Sequence, residues 1–135
     1  MTTEPPPQPS AYQPMTLVDL AGHLARTNDD RRRWRLVAEF LEEFRHERAP
    51  DRQGLLAEEP TSTGDERWDV FLAALAEHLA TRDGRGAPGW AAHRRLAVFW
   101  FPFDSPAARV NALVHAPAGF RSRGIFLAPE ELSVA

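Results

Sequence analysis

The sequence predicts an all-α fold: a single domain of about five helices, with an extended aromatic linker and a disordered proline-rich leader. Apolar residues recur at helical spacing in several segments, and residues that cap helices precede these segments. The stretch richest in β-forming residues contains a proline, which excludes it from a central strand. A chain of 135 residues has room for one sizeable core, and 43% hydrophobic and 26% charged residues are ordinary for a folded domain. We assign the helical domain to residues 16–135.

The leader, residues 1–15, contains five prolines, which rule out a helix or a central strand: Pro5, Pro6, Pro7, Pro9 and Pro14. We interpret it as a solvated tail. The alternative is a proline-rich ligand for a recognition domain.

Two helices are predicted next. Thr16 followed by Asp19 has the pattern of a capping box, and a short helix should continue to about Arg26. Asn28 or Asp29 then caps a longer helix that runs to about Glu47. One face of this longer helix is apolar and should be buried: Trp34, Val37, Ala38, Leu41 and Phe44.

The middle of the chain predicts a short helical turn at Leu55–Leu56 and then another long helix. Thr63 with Glu66 suggests a second capping box, and Gly84 stands where a left-handed stop is expected after about Arg82. We expect the two long helices, about 29–47 and 64–82, to pack against each other through Trp34, Leu41, Trp68 and Leu75.

The last third begins with a helical turn from Trp90 to about Arg95, followed by the aromatic linker Leu96–Phe103. Ser105 and Pro106 should cap and open a helix that reaches about His115. Its predicted inner side carries Val110, Leu113 and Val114. A short helix that starts at Pro117 and stops at Gly124 comes next, and a final turn begins at Pro129.

Charge and cysteine content narrow the function classes. The formal net charge is -3, and all 16 basic residues are Arg, so a basic nucleic-acid surface is not the default expectation. The chain has no Cys, which excludes disulfides, thiol catalysis and thiolate metal sites. The sequence shows neither a signal-peptide pattern nor an apolar run that could span a bilayer, so we expect a cytoplasmic protein without a membrane partner.

No constellation of residues predicts catalysis, a bound metal or a cofactor. The five histidines are scattered, and Glu42 with His46 supplies two ligands where zinc needs three or four, so a surface ion pair is favoured. Ser105 and Ser122 lack the context of a nucleophile, and the glycines of GRGAPG neither follow a strand nor open a capped helix. A small-molecule enzyme of another type would need a deep pocket that contains titratable groups.

Aromatic residues and arginines are concentrated in the last third of the chain, and both types are enriched at protein interfaces. They are our candidates for contact with a protein partner, the alternative for the aromatic residues being a place in the core: Trp100, Phe101, Phe103, Arg109, Arg121, Arg123 and Phe126.

A second group of arginines lies at the start of the first long helix: Arg31, Arg32, Arg33 and Arg35. They are candidates for contact with phosphates or an acidic surface, and they suggest a DNA-binding regulator as the alternative function. The segment from Leu17 to Trp34 only partly fits a helix-turn-helix, because Arg26 and Arg31 occupy positions that should be apolar. These arginines could instead pair with Asp29, Asp30 and Glu39 on a solvated face.

Several motifs together resemble one family. They are Gly64-Asp65-Glu66-Arg67-Trp68, the linker FWFPFDS, and the stretch from Ala112 through Pro117, Phe120, Arg123 and Gly124 to Phe126. Over about residues 16–135 the chain resembles small actinobacterial proteins encoded beside a nucleotidyltransferase-type toxin. The resemblance implies an antitoxin that neutralises this toxin by direct contact and is not itself an enzyme. The proline-rich leader departs from the family pattern.

Overall fold

A computed structural model describes residues 13–132, and within this range the fold is all-α. Residues 1–12 of the predicted leader lie outside the described part, and residues 13–16 have no regular secondary structure. Two 3₁₀ helices, Gly89–His93 and Pro129–Leu132, accompany six α-helices: α1 Leu17–Ala25, α2 Asp30–Arg45, α3 Ala49–Leu56, α4 Glu66–Arg82, α5 Pro106–His115 and α6 Ala118–Arg121. Between residues 13 and 132 no helix is long and apolar enough to cross a membrane.

The starts of α1 and α2 follow the predicted capping chemistry. The Thr16 hydroxyl accepts a hydrogen bond from the Asp19 amide at 3.0 Å, and the Asp19 carboxylate accepts one from the Thr16 amide at 3.1 Å. This is the predicted capping box. Asp29 caps α2 by accepting from the Arg31 amide at 3.0 Å. Each carboxylate therefore satisfies an amide that has no partner within its helix.

α4 is the central element of the core. Ten of its residues are buried, and α1, α3, α6 and the 3₁₀ helix Gly89–His93 pack against it. Because neighbours surround it, α4 buries more than the single stripe that its sequence predicts: Trp68, Val70, Phe71, Leu72, Ala73, Ala74, Leu75, Ala76, Leu79 and Ala80.

The predicted pairing of α2 with α4 is made mainly through Trp34, whose ring contacts both Trp68 and Phe71 of α4. The rings of Trp34 and Trp68 have centroids 4.9 Å apart, and Trp68 Nε1 donates to Asp30 Oδ1 at 3.1 Å. The close backbone packing is made by α1, which lies against both long helices. Leu41 and Leu75 are buried in the same core, but the apolar stripe of α1 supplies much of the surface that covers the two helices.

The capping box predicted from Thr63 and Glu66 is wrong. Gly64 adopts a positive φ of 86°, which turns the chain so that α4 begins at Glu66 with Asp65 as its cap. The Asp65 carboxylate accepts from the Arg67 amide at 3.0 Å, while the Thr63 hydroxyl donates to Asp69 at 2.7 Å. The Arg67 guanidinium also holds the pKa of Asp65 below its ordinary value.

Beyond α4, the chain folds back as an extended linker. Gly84 ends the helix with a φ of 72°, as the sequence predicts. The linker lies beside the segment that follows α6: the Leu96 amide donates to Arg123 O, and an isolated parallel bridge joins Trp100 to Ile125. Pro102 follows at once, and the bridge does not extend into a strand within the described residues.

The orientation predicted for α5 is wrong. Its cap is as expected, since the Ser105 side chain accepts from the Ala108 amide at 3.2 Å. However, Ala112 and Ala116 are the buried residues, and they pack on Phe101 and Phe126. The predicted inner residues Val110, Leu113 and Val114 point outward, because only the small side of α5 can approach the aromatic rings closely.

α6 packs directly on α4 through a glycine. A Cβ atom at Gly119 would lie 2.7 Å from Glu77 Oε2 and 3.4 Å from the Ala74 carbonyl oxygen, so a larger residue would push the two helices apart or displace Glu77. Phe120, on the next position, is fully buried and meets Phe71 at 5.6 Å between ring centroids.

The half-buried His78 should make stability depend on pH. Its desolvation on α4, and to a lesser extent the nearby charge of Arg82, lower its pKa below the ordinary 6.5. The unfolded chain therefore takes up a proton at His78 before the folded chain does, and stability falls as the pH drops through about 6.5.

We expect a smaller free energy of unfolding in urea at about pH 5.5 than at about pH 7.5, a window that lies above the titration of the carboxylates. His78→Leu should reduce this difference. An equally large pH dependence in the variant would contradict the role of His78.

Candidate functional site

The seven residues predicted to contact a partner lie in three different environments. Trp100 and Phe103 pack against the core, Arg123 is buried under α6, and the remaining four form one cluster beside α5. The sequence places all seven in one third of the chain, whereas the folded chain separates structural residues from exposed ones.

Trp100 and Phe103 are half-buried and belong to an aromatic group around Trp34. The Trp34 ring centroid lies 4.9 Å from that of Phe103, and Trp100 meets Trp68 edge-on at 5.5 Å. The Arg67 guanidinium covers Trp100 at 5.0 Å from the ring centroid. These contacts tie the linker to α2 and α4, so both side chains have a structural role.

Arg123 is a buried structural residue, which corrects its assignment to partner contact. Its side chain is 7% exposed and lies 3.3 Å from the Glu77 carboxylate. The guanidinium also donates to the carbonyl oxygens of Gly119 at 2.8 Å and Ala91 at 3.1 Å. One charged side chain therefore links α4, α6 and the 3₁₀ helix Gly89–His93.

Phe101, Arg109, Arg121 and Phe126 form what we call the aromatic-arginine cluster. The two phenyl rings stack with centroids 5.2 Å apart and an interplanar angle of 16°. Arg109 lies 4.8 Å from the Phe101 centroid, and Arg121 lies 5.4 Å from the Phe126 centroid. Phe126 itself is 7% exposed, so it supports the cluster from below and is not available to a partner. The exposed groups are the two guanidiniums.

Three residues on the outer side of α5 form an exposed apolar surface, the α5 stripe: Val110, Leu113 and Val114. They are 63%, 51% and 65% exposed. Pro106 and Ala107 are also exposed on the preceding turn. At about 100° per residue, these five side chains share one face of the helix. α5 thus shows its branched apolar residues to solvent, whereas Ala112 and Ala116 face the core.

The charges at the edge of the α5 stripe are positive. Arg109 lies one turn before Leu113, and the Arg121 guanidinium donates to the Leu113 carbonyl oxygen at 2.6 Å. Neither arginine has a carboxylate oxygen within 4.0 Å among the described residues. Glu130 accepts a hydrogen bond from the Asn111 side chain, which lowers the Glu130 pKa. The Glu130 carboxylate is therefore engaged by Asn111.

The sequence pattern did not predict the exposed α5 stripe, and Phe99 was not among the residues predicted to contact a partner. Phe99 is 69% exposed and meets Phe126 edge-on at 5.2 Å between centroids. The available signal was the pattern on α5 itself: Ala112 and Ala116 lie on one face, and Val110, Leu113 and Val114 lie on the other. Periodicity identifies the two faces but not which of them the core accepts.

The arginines at the start of α2 also include both exposed side chains and one that faces inward. Arg31, Arg32 and Arg35 are exposed, and Arg32 lies 4.0 Å from Asp29. Arg33 faces inward: its side chain is 11% exposed, it pairs with Asp30 at 3.0 Å, and it donates to Thr27 O at 2.9 Å. Arg33 therefore closes the turn between α1 and α2, and its assignment to contact with phosphates or an acidic surface stays a prediction.

No cluster of candidate metal ligands is found in the described part of the chain. From residue 13 to residue 132, no three His, Asp or Glu side chains are placed to hold a metal ion. The predicted pair of His46 and Glu42 is present on the surface at 3.6 Å.

One cavity of about 420 Å³ opens to solvent between the ends of α2 and α4. Its wall includes Arg52, whose donors are engaged by Asp83 at 2.6 and 2.9 Å and by Glu47 O at 3.0 Å. The Arg52 guanidinium in this cavity thus already has its partners.

Comparisons with protein-family models, with curated proteins and with solved structures gave no match. The family resemblance stated from the sequence therefore stays a prediction.

Truncation of Arg123 and of Arg121 should show that the first side chain stabilises the fold and that the second contributes little to stability. Arg123→Ala removes the buried cation that pairs with Glu77 and takes one of the donors from each of the carbonyl groups of Gly119 and Ala91, so we expect a loss of about 2 to 4 kcal/mol in the free energy of unfolding. The exposed Arg121→Ala should lose less than about 1 kcal/mol. Urea unfolding of the two variants measures both values. Equal losses would contradict the distinction.

Proposed function

We propose that this chain is the antitoxin of a two-gene toxin-antitoxin system, which neutralises a nucleotidyltransferase-like toxin by direct protein contact in the cytoplasm. The observation that supports contact is the α5 stripe, where three branched apolar side chains are more than half exposed. Exposed apolar groups of this kind, bordered by arginine, are typical of surfaces that bind another protein.

The identity of the partner rests on the family resemblance, and the surface supports the class of interaction. The described residues combine a well-packed core with one helix whose apolar side is uncovered. A rigid scaffold that presents such a helix loses little conformational entropy on binding, which favours affinity. An inhibitor that acts by binding needs such a contact surface and needs no catalytic residues of its own.

The proposal assigns no catalysis and no cofactor to this chain. Nucleotidyltransferases of the kind implied by the resemblance use paired aspartates and a glycine-serine motif, and the sequence contains neither in the required context. The chain would therefore be the inhibitor in the pair and the neighbouring product the enzyme.

Co-expression tests the proposal. The product of the adjacent gene, expressed alone from an inducible promoter, should arrest growth, and this chain should restore growth and co-purify with that product. A neighbouring product that is harmless, or a chain that neither binds it nor restores growth, would exclude the antitoxin function.

Substitutions on α5 should show whether the stripe is the contact. Val110→Gln or Leu113→Gln should each weaken the complex by about 1 to 2 kcal/mol, because each replaces an apolar contact by an amide that the interface must desolvate. Gln is tolerated well in helices, so the fold should persist. Isothermal titration calorimetry measures the affinity.

Val98→Gln is the matched control, since Val98 is 79% exposed but lies on the linker and not on α5. It should bind like the unaltered chain. If Val98→Gln weakened the complex as much as Val110→Gln, the contact would not be specific to the stripe.

The alternative function is DNA binding by the exposed Arg31, Arg32 and Arg35 at the start of α2. The helical order of α1 and α2 favours this alternative, whereas Asp29 and Asp30 beside the arginines oppose it electrostatically. Mobility-shift assays on the DNA upstream of its own gene distinguish the two. Salt-sensitive binding that is lost in the double variant Arg31→Glu and Arg35→Glu, without toxin binding, would establish the regulator in place of the antitoxin.

A further inference from the structure

We propose that the α5 stripe binds an amphipathic helix of the partner, with carboxylates along one edge that pair with Arg109 and Arg121. This inference rests on the proposed function in that it specifies the chemistry of the partner. It is argued from the geometry of α5 and can be tested without the toxin.

A helix is the occupant that matches the surface. Val110, Leu113 and Val114 stand at positions i, i+3 and i+4, which form a ridge that another helix can receive between its own side chains. The backbone of α5 has its hydrogen bonds within the helix, so it offers side chains and no strand edge. With ten residues, α5 is about 15 Å long and can support about two to three turns of a partner.

The two arginines require acidic groups on that helix. Neither is paired with a carboxylate in the described chain, and covering the stripe would remove part of their water. Stacking on Phe101 and Phe126 holds both guanidiniums in place, so a carboxylate can bind them without first ordering a flexible side chain. Both lie on the Leu113 edge of the stripe, hence the acids should lie on one edge of the partner helix.

Charge argues against a second copy of this chain as the occupant. α5 contains no Asp or Glu, and a two-fold pairing of α5 helices would bring Arg109 and Arg121 of both copies around one contact. A membrane surface is disfavoured by the small size of the stripe, because interfacial helices bury a wide face with cationic residues on the opposite side.

Two synthetic helical peptides of about 18 residues provide the test. Both carry leucines on one face; the first has Glu along one edge of that face, and the second has Lys at the same positions. Fluorescence anisotropy of the labelled peptides measures binding to the full chain. We expect the Glu peptide to bind at least about tenfold more tightly than the Lys peptide, as two exposed charge pairs allow.

The double variant Arg109→Glu and Arg121→Glu should abolish or reverse this preference, and Leu113→Gln should weaken both peptides. The matched control, Arg31→Glu with Arg35→Glu, changes the same total charge on exposed positions of α2 and should keep the preference. Circular dichroism verifies that each variant is folded. Equal binding of the two peptides, binding of neither, or a preference unchanged by the Arg109 and Arg121 reversal overturns the proposal.

Two further outcomes would identify another occupant. Self-association in sedimentation experiments that Leu113→Gln removes would assign the stripe to a second copy. Binding to phosphatidylserine vesicles that depends on Leu113 and is not displaced by the Glu peptide would assign it to a membrane. Either result overturns the proposal.

The peptide experiment and the co-expression experiment can each reject one proposal without rejecting the other. Charge-selective peptide binding with no effect on the neighbouring gene product keeps this inference and rejects the antitoxin. Rescue of growth with no selectivity between the peptides keeps the antitoxin and rejects the acidic helix.

Discussion

The last third of the chain depends on the buried guanidinium of Arg123. It pairs with Glu77 on α4 and donates to carbonyl oxygens at the start of α6 and in the 3₁₀ helix Gly89–His93. Gly119 allows this arrangement, because it is the residue that lets α6 come within reach of Glu77. A buried charge is costly unless it is paired and bonded, so this position demands one arrangement of three elements. The backbone carbonyl groups of Arg123 and Gly124 then bind the linker, since Leu96 N donates to Arg123 O and Trp100 N donates to Gly124 O.

The position of the linker in turn determines what α5 shows to solvent. With Trp100 fixed beside Ile125, Phe101 stacks on Phe126, and the two rings form a flat apolar surface, called the floor here, on which α5 packs. A helix can approach such a floor closely only with small side chains, and Ala112 and Ala116 provide them. The branched residues of α5 are left outside. The exposed stripe is therefore a consequence of packing against these rings and not of a weak core, since α1 buries its apolar stripe and α4 buries ten residues.

The stacked rings of Phe101 and Phe126 also position the guanidiniums of Arg109 and Arg121. Arg109 and Arg121 cover these two rings, and guanidiniums held on aromatic faces keep their planar donors directed along the surface. From the centre of the molecule to its surface, the core is thus followed by the stacked rings of Phe101 and Phe126. Beyond these rings lie the two guanidiniums and the α5 stripe. This order supports recognition of a partner by shape and by charge together, which is how specificity is usually combined with affinity.

From the sequence alone, the helices, most of their caps and the all-α class could be predicted, because local spacing and short-range hydrogen bonds determine them. The α1 capping box, the Asp29 cap and the stop at Gly84 are local in this sense. The orientation of α5 and the burial of Arg123 and Phe126 are not, since they depend on contacts between separate segments: α5 and Phe126 pack on Phe101, and Arg123 bonds to Glu77 and Ala91. An amphipathic helix has two faces in sequence, and only the neighbours that it meets in the fold decide which face is covered. The sequence therefore determined the elements, and the tertiary structure decided which arginines and apolar residues remain free to bind.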